Sequence, residues 1–292
     1  MANKVKQAAD LLALWRTSAE DALRWKKGTD IRSLDLDSAP GYLGTKQQGE
    51  AALAMYEPEL SELQEKLFAC GKSGDNRSVL LVVQGLDTAG KGGIVRHVIG
   101  MVDPQGIKLS SFGKPTAEET AHPYLWRIER ALPQPGYLGV FDRSHYEQVL
   151  VVRTDHLEDE ATWRAHYDEI NQFEKSISDA GIKIVKVALI VSKGEQKKRL
   201  MARLDHPNKY WKYNPNDLNT RAKFEEYLDA YQEMLDKTST DVAPWYLVPA
   251  DKKWYARLAV TQLLLDALRS LDLKWPDANF DVEEQKRFVA DS

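Results

Sequence analysis

VLLVVQGLDTAGKGG, residues 79–93, reads as a strand, a tight loop and the first turn of a helix. The apolar run before Gln84 suits a strand buried on both faces, and it opens into G-x-x-x-x-G-K from Gly85 to Lys91. Glycines in such a loop let the backbone curl so that successive N–H groups face one anion, and the helix N-terminus adds positive potential. Gly85, Thr88, Ala89, Gly90, Gly92 and Gly93 are therefore expected to line a phosphate cradle, with Lys91 placing a point charge on the phosphate. The residue after the lysine, normally a Ser or Thr that offers a hydroxyl to magnesium, is Gly92. Another oxygen must then hold the metal. Asp87, inside the loop, is the candidate, because a hard cation prefers carboxylate and phosphate oxygens; an Asp that merely caps the turn is the alternative.

From Ser78 onward, short apolar runs alternate with longer helical patterns, the signature of a parallel sheet wrapped by helices. Strands are predicted over Val79 to Gln84, Ile107 to Ser111, Leu138 to Asp142, Ile182 to Val191 and Trp245 to Pro249. Helices are predicted after Lys91, over Glu118 to Ala131, Thr162 to Ala180, Asp217 to Lys237 and Lys252 to Leu271. Phe224, Leu228, Tyr231 and Leu235 recur at helical spacing and belong to a core face. Residues 1–75 read as a helical extension preceding the core of residues 76–292: a helix from Leu11 to Trp25, turn formers at Ser38 to Gly41, then a helix with Leu53, Tyr56, Leu60, Leu63 and Leu67 on one face. Its expected role is packing or contact between copies.

Two further stretches carry chemistry. The third strand ends in Asp142, and ligands of open α/β sheets bind outside the carboxyl ends of strands, so this Asp should face the crevice above the loop. An apolar strand ending in Asp is the Walker-B arrangement, weak alone and stronger behind a phosphate loop. Arg143 follows and can fork onto a phosphate; a salt bridge is its plainer role. His145 is expected to be packed or hydrogen-bonded rather than catalytic. Between Lys193 and Lys212, seven cations against Glu195 and Asp205 give a local balance of +5 in a chain whose net charge is −4. A charge run is usually a solvated helix face. Here it follows a strand and leads into HPNKYWKYNP, so a mobile lid over residues 193–222 is the sharper reading.

The remaining numbers narrow the class. At 292 residues the chain can bury one large core or two modest ones. With 43% apolar and 29% charged residues it has an ordinary globular composition. It has no apolar run near the ~18 residues that span a bilayer and no secretion signal at its start, and Cys70 is its one cysteine. These point to the cytoplasm, with no membrane and no nucleic-acid partner, since no global basic field is present.

Beyond the loop itself, FGKPTAEE (112–119), HPYLWR (122–127), FDRSHYEQVLVVR (141–153), NKYWKYNPND (208–217) and APWYLVPADKKWY (243–255) follow in one register. Together they resemble the family-2 polyphosphate kinases, over roughly Tyr42 to Leu271. SHYE and KYWKYNP are most similar to the subgroup that phosphorylates both nucleoside monophosphates and diphosphates. The resemblance implies a P-loop NTPase fold of the thymidylate-kinase type: three layers, α/β/α, with a five-stranded parallel sheet and a helical lid. It implies inorganic polyphosphate as donor, adenine (or guanine) nucleotides, AMP or ADP, as acceptors, Mg2+ as cofactor, and a homo-oligomer, dimer or tetramer. On that match Asp87 and Asp142 organise the metal, Lys91 and Arg143 the reacting phosphates, Arg203 and Lys209 the lid's phosphate contacts. Phe112, Lys114, Pro115, Thr116, Arg127, Tyr146 and Glu147 fall to the nucleotide. Pro123 stands where the family often carries an acidic residue, a departure that bears on acceptor fit.

The residues leave two other readings open. An ATP-dependent nucleoside monophosphate kinase would use the same loop and lid. A non-enzymatic nucleotide switch is disfavoured, because Asn208-Lys209 lacks the acidic residue that completes the guanine-reading N-K-x-D pattern.

Overall fold

The computed structural model describes residue 11 and residues 13–292. In chain order the helices and strands are α1 (Ala19–Leu23), α2 (Lys46–Lys72), β1 (Ser78–Gly85), α3 (Lys91–His97), β2 (Ile107–Ser111), α4 (Ala117–Thr120), α5 (Leu125–Ala131), β3 (Leu138–Asp142), α6 (Glu147–Thr154), α7 (Glu160–Asp179), β4 (Ile182–Ile190), α8 (Lys193–Leu204), α9 (Asp217–Ala222), α10 (Phe224–Thr238), β5 (Trp245–Pro249), α11 (Lys253–Arg269) and α12 (Val282–Ala290). All five strands run parallel in the order β2-β3-β1-β4-β5. Every residue of β1 is buried, which is why Val79 to Val83 run apolar without alternating. The helices α2, α3 and α11 pack together over one side of the sheet, and α6, α7 and α10 over the other. This is the three-layer α/β/α arrangement. Among the described residues no helix is long and apolar enough to cross a membrane.

The five strands lie where their apolar runs predict. The helices depart from prediction in instructive ways. Of the expected helix from Leu11 to Trp25, Leu11 is helical, residues 13–18 are not, and α1 follows, started by the Ser18 hydroxyl, which accepts from Asp21 N at 3.0 Å; residue 12 and residues 1–10 fall outside the described set. Around α1, Trp15 bridges to Tyr42 and Arg24 to Tyr246, pairings between distant residues that local periodicity does not encode. The expected helix over Glu118 to Ala131 breaks into α4 and α5 at Pro123, whose ring removes a helical donor. The one over Asp217 to Lys237 breaks at Lys223, although no Pro or Gly stands there. Its ammonium donates to Thr154 O (2.9 Å) and to Asp155 (2.8 Å) at the end of α6, so the kink is held by a tertiary contact.

The N-terminal stretch does more than precede the core. In α2 the positions Gly49, Ala52, Tyr56, Leu60, Gln64, Leu67 and Cys70 form its buried stripe against α11. Ala52, Tyr56, Leu60 and Leu67 belong to the same continuous core as the sheet. Leu53 and Leu63, expected on that face, are only half-buried at its margin. Packed between α2 and the sheet, α11 buries eleven of its seventeen residues and keeps Lys253 and Arg269 exposed at its two ends.

Candidate active site

The site lies at the carboxyl ends of β1, the central strand, and its neighbour β3. Their register sets Val83 opposite Asp142, and the Arg143 N–H donates to Val83 O at 3.1 Å, which brings the phosphate loop and the β3 turn together. Two backbone features make the loop possible. A Cβ on Gly85 would lie 2.8 Å from Leu189 O on β4, too close for any side chain, and Gly90 takes φ +117° as it starts α3. Around Gly92 an added Cβ would meet nothing within 4 Å, so crowding does not exclude a side chain there. Thr88 and Arg143 also adopt left-handed backbone, at φ 68° and 63°. Such conformations in non-glycine residues gather at functional sites.

The charged groups of the crevice are only loosely paired. Arg143 lies 3.4 Å from Asp87 and 3.4 Å from Glu147, with its side chain 39% exposed. The Lys91 ammonium rests on Gly85 O (2.6 Å) and Leu86 O (3.4 Å), carbonyls of its own loop. Burial pulls the Lys91 pKa below the usual lysine value, and Arg143 adds to that; Asp87, Asp142 and Glu147 oppose it. Burial pushes the Glu147 carboxyl up, against the pull of Arg143 and Lys91. With the Gln84 amide oriented to satisfy its neighbours, its nitrogen donates to Glu147 at 3.2 Å and its oxygen accepts from the Ser144 hydroxyl at 3.0 Å. Among the described residues no three metal-ligating side chains converge. Asp87 and Asp142 both act on the Lys91 charge, and two carboxylates there would fit Mg2+, which keeps several waters and takes its other oxygens from substrate phosphates.

The stretch expected to form a lid begins at α8, capped by Ser192, whose hydroxyl accepts from Glu195 N at 3.1 Å. One face of α8 carries Gln196, Arg199 and Arg203. Arg203 donates to Lys212 O (2.8 Å) and pairs with Asp217 (3.1 Å), which ties α8 to the turn before α9. Burial and then the charge of Asp87 push the Asp217 carboxyl up. Lys209 stands half-buried in the 3-10 turn Pro207–Lys212. Arg199 is the residue the sequence concealed. Its buried guanidinium donates to Thr88 O (2.9 Å) and Ala89 O (3.1 Å) of the phosphate loop, to Ala250 O (2.6 Å) and Asp251 O (2.9 Å) after β5, and to Glu195 (2.9 Å). All five donors of this arginine are engaged, so it braces the loop from behind. In a run of seven cations nothing distinguishes it from its solvated neighbours until the tertiary contact is seen.

The expected nucleotide residues divide. Lys114, Pro115 and Thr116 are exposed on the loop after β2, and the Thr116 hydroxyl is engaged in a capping box with Glu119 at the start of α4. Arg127 reaches back to Gly113 O (3.1 Å), pairs with Glu119 (3.6 Å) and lies over the Phe112 ring at 5.5 Å. Phe112 itself is buried, edge-on to Phe141 at 5.0 Å. Glu147 opens on the crevice beside Arg143. Tyr146 must be corrected: it is fully buried, with its hydroxyl donating to Glu174 at 2.7 Å, and presents nothing to a nucleotide. The turn that sets Arg143 and Glu147 toward the crevice carries the three residues between them, Ser144, His145 and Tyr146, inward. His145 is packed and hydrogen-bonded, as expected.

A family model described as polyphosphate kinase 2 matches residues 44–275. An AMP/ADP-polyphosphate phosphotransferase of Meiothermus ruber is 40% identical over 85% of this chain and 91% of its own length. An ADP-polyphosphate phosphotransferase of Rhodopseudomonas palustris is 42% identical over 75% and 78%. The crystal structure of polyphosphate kinase 2 from Arthrobacter aurescens TC1 superposes with a TM-score of 0.93 at 52% identity, covering 95% of this chain and 98% of that one. With its P-loop, its five-stranded parallel sheet and these matches, the chain belongs to the polyphosphate kinase 2 family and is a phosphotransferase.

Proposed function

We propose that this protein transfers a phosphate from inorganic polyphosphate to AMP and ADP, in a Mg2+-dependent and reversible reaction. The observation that carries the reading is the ion pair of Arg143 with Asp87 beside the buried Lys91, whose charge both groups influence, in a chain of this family. An acceptor that is a nucleotide phosphate is already ionised near neutral pH, so no general base is needed. What the reaction requires is alignment of two mutually repelling phosphates and compensation of their charge.

In this reading the loop N–H groups from Gly85 to Gly93 cradle the donor, and Lys91 leaves its own carbonyls for the transferred phosphate. Arg143 bridges donor and acceptor, and Arg203 and Lys209 close over the donor from the lid. Asp87 and Asp142 would hold Mg2+, which supplies charge neutralisation between the phosphates. Arg127, Lys114, Pro115 and Thr116 would form the acceptor edge, with Glu147 orienting Arg143. The work is done in the cytoplasm by a homo-oligomer.

The deciding experiment offers AMP with polyphosphate and AMP with ATP in parallel and scores the ADP formed. Turnover only with polyphosphate, extended to ATP formation from ADP, is the expected result. Turnover only with ATP would overturn the donor assignment, and tight nucleotide binding with no turnover would overturn the reaction.

A further inference from the structure

Directly behind the reacting groups lies a second ionic cluster, closed to solvent, that the transfer chemistry does not use. Lys186 on β4 is fully buried, and its ammonium contacts Glu174 Oε2 of α7 at 2.6 Å, the Tyr146 hydroxyl at 2.7 Å and Thr238 O of α10 at 2.7 Å. An ammonium has three N–H groups, and all three are matched. The other oxygen of Glu174 accepts from the Tyr146 hydroxyl at 2.7 Å and lies 3.2 Å from His145 Nε2. Since Tyr146 accepts from Lys186, its own proton goes to Glu174; His145 therefore carries its proton on Nε2, and the buried Nδ1 has no partner. The network admits one arrangement of donors and acceptors, and it joins three elements of the core to two successive residues of the β3–α6 turn.

That turn starts with Arg143 in a left-handed conformation that arginine rarely adopts, and it is the Arg143 guanidinium that must stand between Asp87 and Glu147. An apolar pair of similar volume would fill the space behind the turn at no loss of stability. It would not, however, fix the direction of the Tyr146 hydroxyl or the His145 ring. We infer that Glu174 and Lys186 are positioning residues for phosphoryl transfer: gripping Tyr146 and His145, they hold the turn in the strained conformation that aims Arg143 at the phosphates. Tyr146 is the link, and its removal from the list of nucleotide contacts is explained by that role.

The inference rests on Arg143 acting on the transferred phosphate; wild-type turnover tests that reading, and the ratio of variant to wild type tests this one. Tyr146→Phe deletes one hydroxyl and leaves ring, fold and the Lys186–Glu174 pair in place. It should lower kcat about tenfold, with the nucleotide KM held and the melting midpoint shifted only slightly. The same substitution in an Arg143→Lys background, followed by single turnover with enzyme in excess, should lower the rate less than about twofold, because the group being aimed has already gone. His145→Gln, which keeps a donor for Glu174 but shifts its position, provides a second arm read in the same two backgrounds. Unchanged kcat in both single variants, or equal losses with and without Arg143, would overturn the inference, since a purely structural contribution acts alike in either background.

Discussion

The turn from Arg143 to Glu147 separates two clusters of charge built on opposite terms. On the crevice side, Arg143 meets Asp87 and Glu147 at 3.4 Å, through side chains 39%, 22% and 17% exposed. On the inner side, Lys186 meets Glu174 at 2.6 Å, and neither side chain exceeds 1% exposure. The outer groups are under-committed: a lysine resting on its own loop's carbonyls and an arginine at long range from two carboxylates have donors to give a phosphate. The inner groups have every donor spent. A satisfied network in a low-dielectric interior rigidifies what it touches, whereas a loosely paired one beside solvent can exchange partners for a ligand. On the proposed reading, one segment of five residues separates holding from reacting.

The contrast can be broken most sharply at Lys91. Replacing it with Ala should lower kcat by about a thousandfold while the urea unfolding midpoint stays near wild type, because the outer cluster contributes chemistry and little stability. A correspondingly unstable Lys91→Ala protein would erase the distinction. Next in size, Glu174→Leu strands the buried Lys186 charge and should cost about 3–5 kcal/mol of unfolding free energy by urea titration. Adding Lys186→Met should restore most of that loss. Turnover should nevertheless stay low in the double variant, and full recovery of both would show that the inner cluster only fills space.

The smallest effect concerns protons. Burial lowers the His145 pKa below its usual value of 6.5, against the opposing pull of Glu174. Below that usual value the unfolded chain takes up a proton that the folded one refuses, so stability is complete above about pH 6.5 and declines as pH falls toward the lowered folded value. The slope is at most about 1.4 kcal/mol per pH unit for one group. Melting curves from pH 7.5 to 5.5 should be steeper for wild type than for His145→Gln; identical slopes would mean that the ring is not held neutral.

The strands were legible in the amino-acid order because a parallel strand buried on both faces needs an unbroken apolar run, and chance rarely supplies one between turn formers. The phosphate loop was legible for a related reason: close approach at Gly85 and positive φ at Gly90 leave almost no choice of residue. Helix ends were less so. Pro123 announces its break, but the kink at Lys223 depends on acceptors offered by the end of α6, a contact between residues 68 and 69 positions apart. In the same way Arg199 reads as one more cation in a basic stretch, and only the folded chain sets its guanidinium against four carbonyls from two loops.

The class of chemistry, then, resided in the order of residues: glycines, Lys91, Asp87 and Asp142 at the ends of apolar runs are the pattern on which the phosphate site is proposed, where a parallel sheet places the carboxyl ends of its strands together. The division of labour around that site did not. Whether a polar side chain after β3 faces ligand or core turns on the path of three or four backbone residues. Tyr146 looks in sequence no different from Arg143 and Glu147, which face the crevice, and is found in structure bonded to both partners of a buried ion pair. Local pattern determines which elements form, but the partner that satisfies a buried donor comes from distant parts of the chain, and only packing brings it within 3 Å.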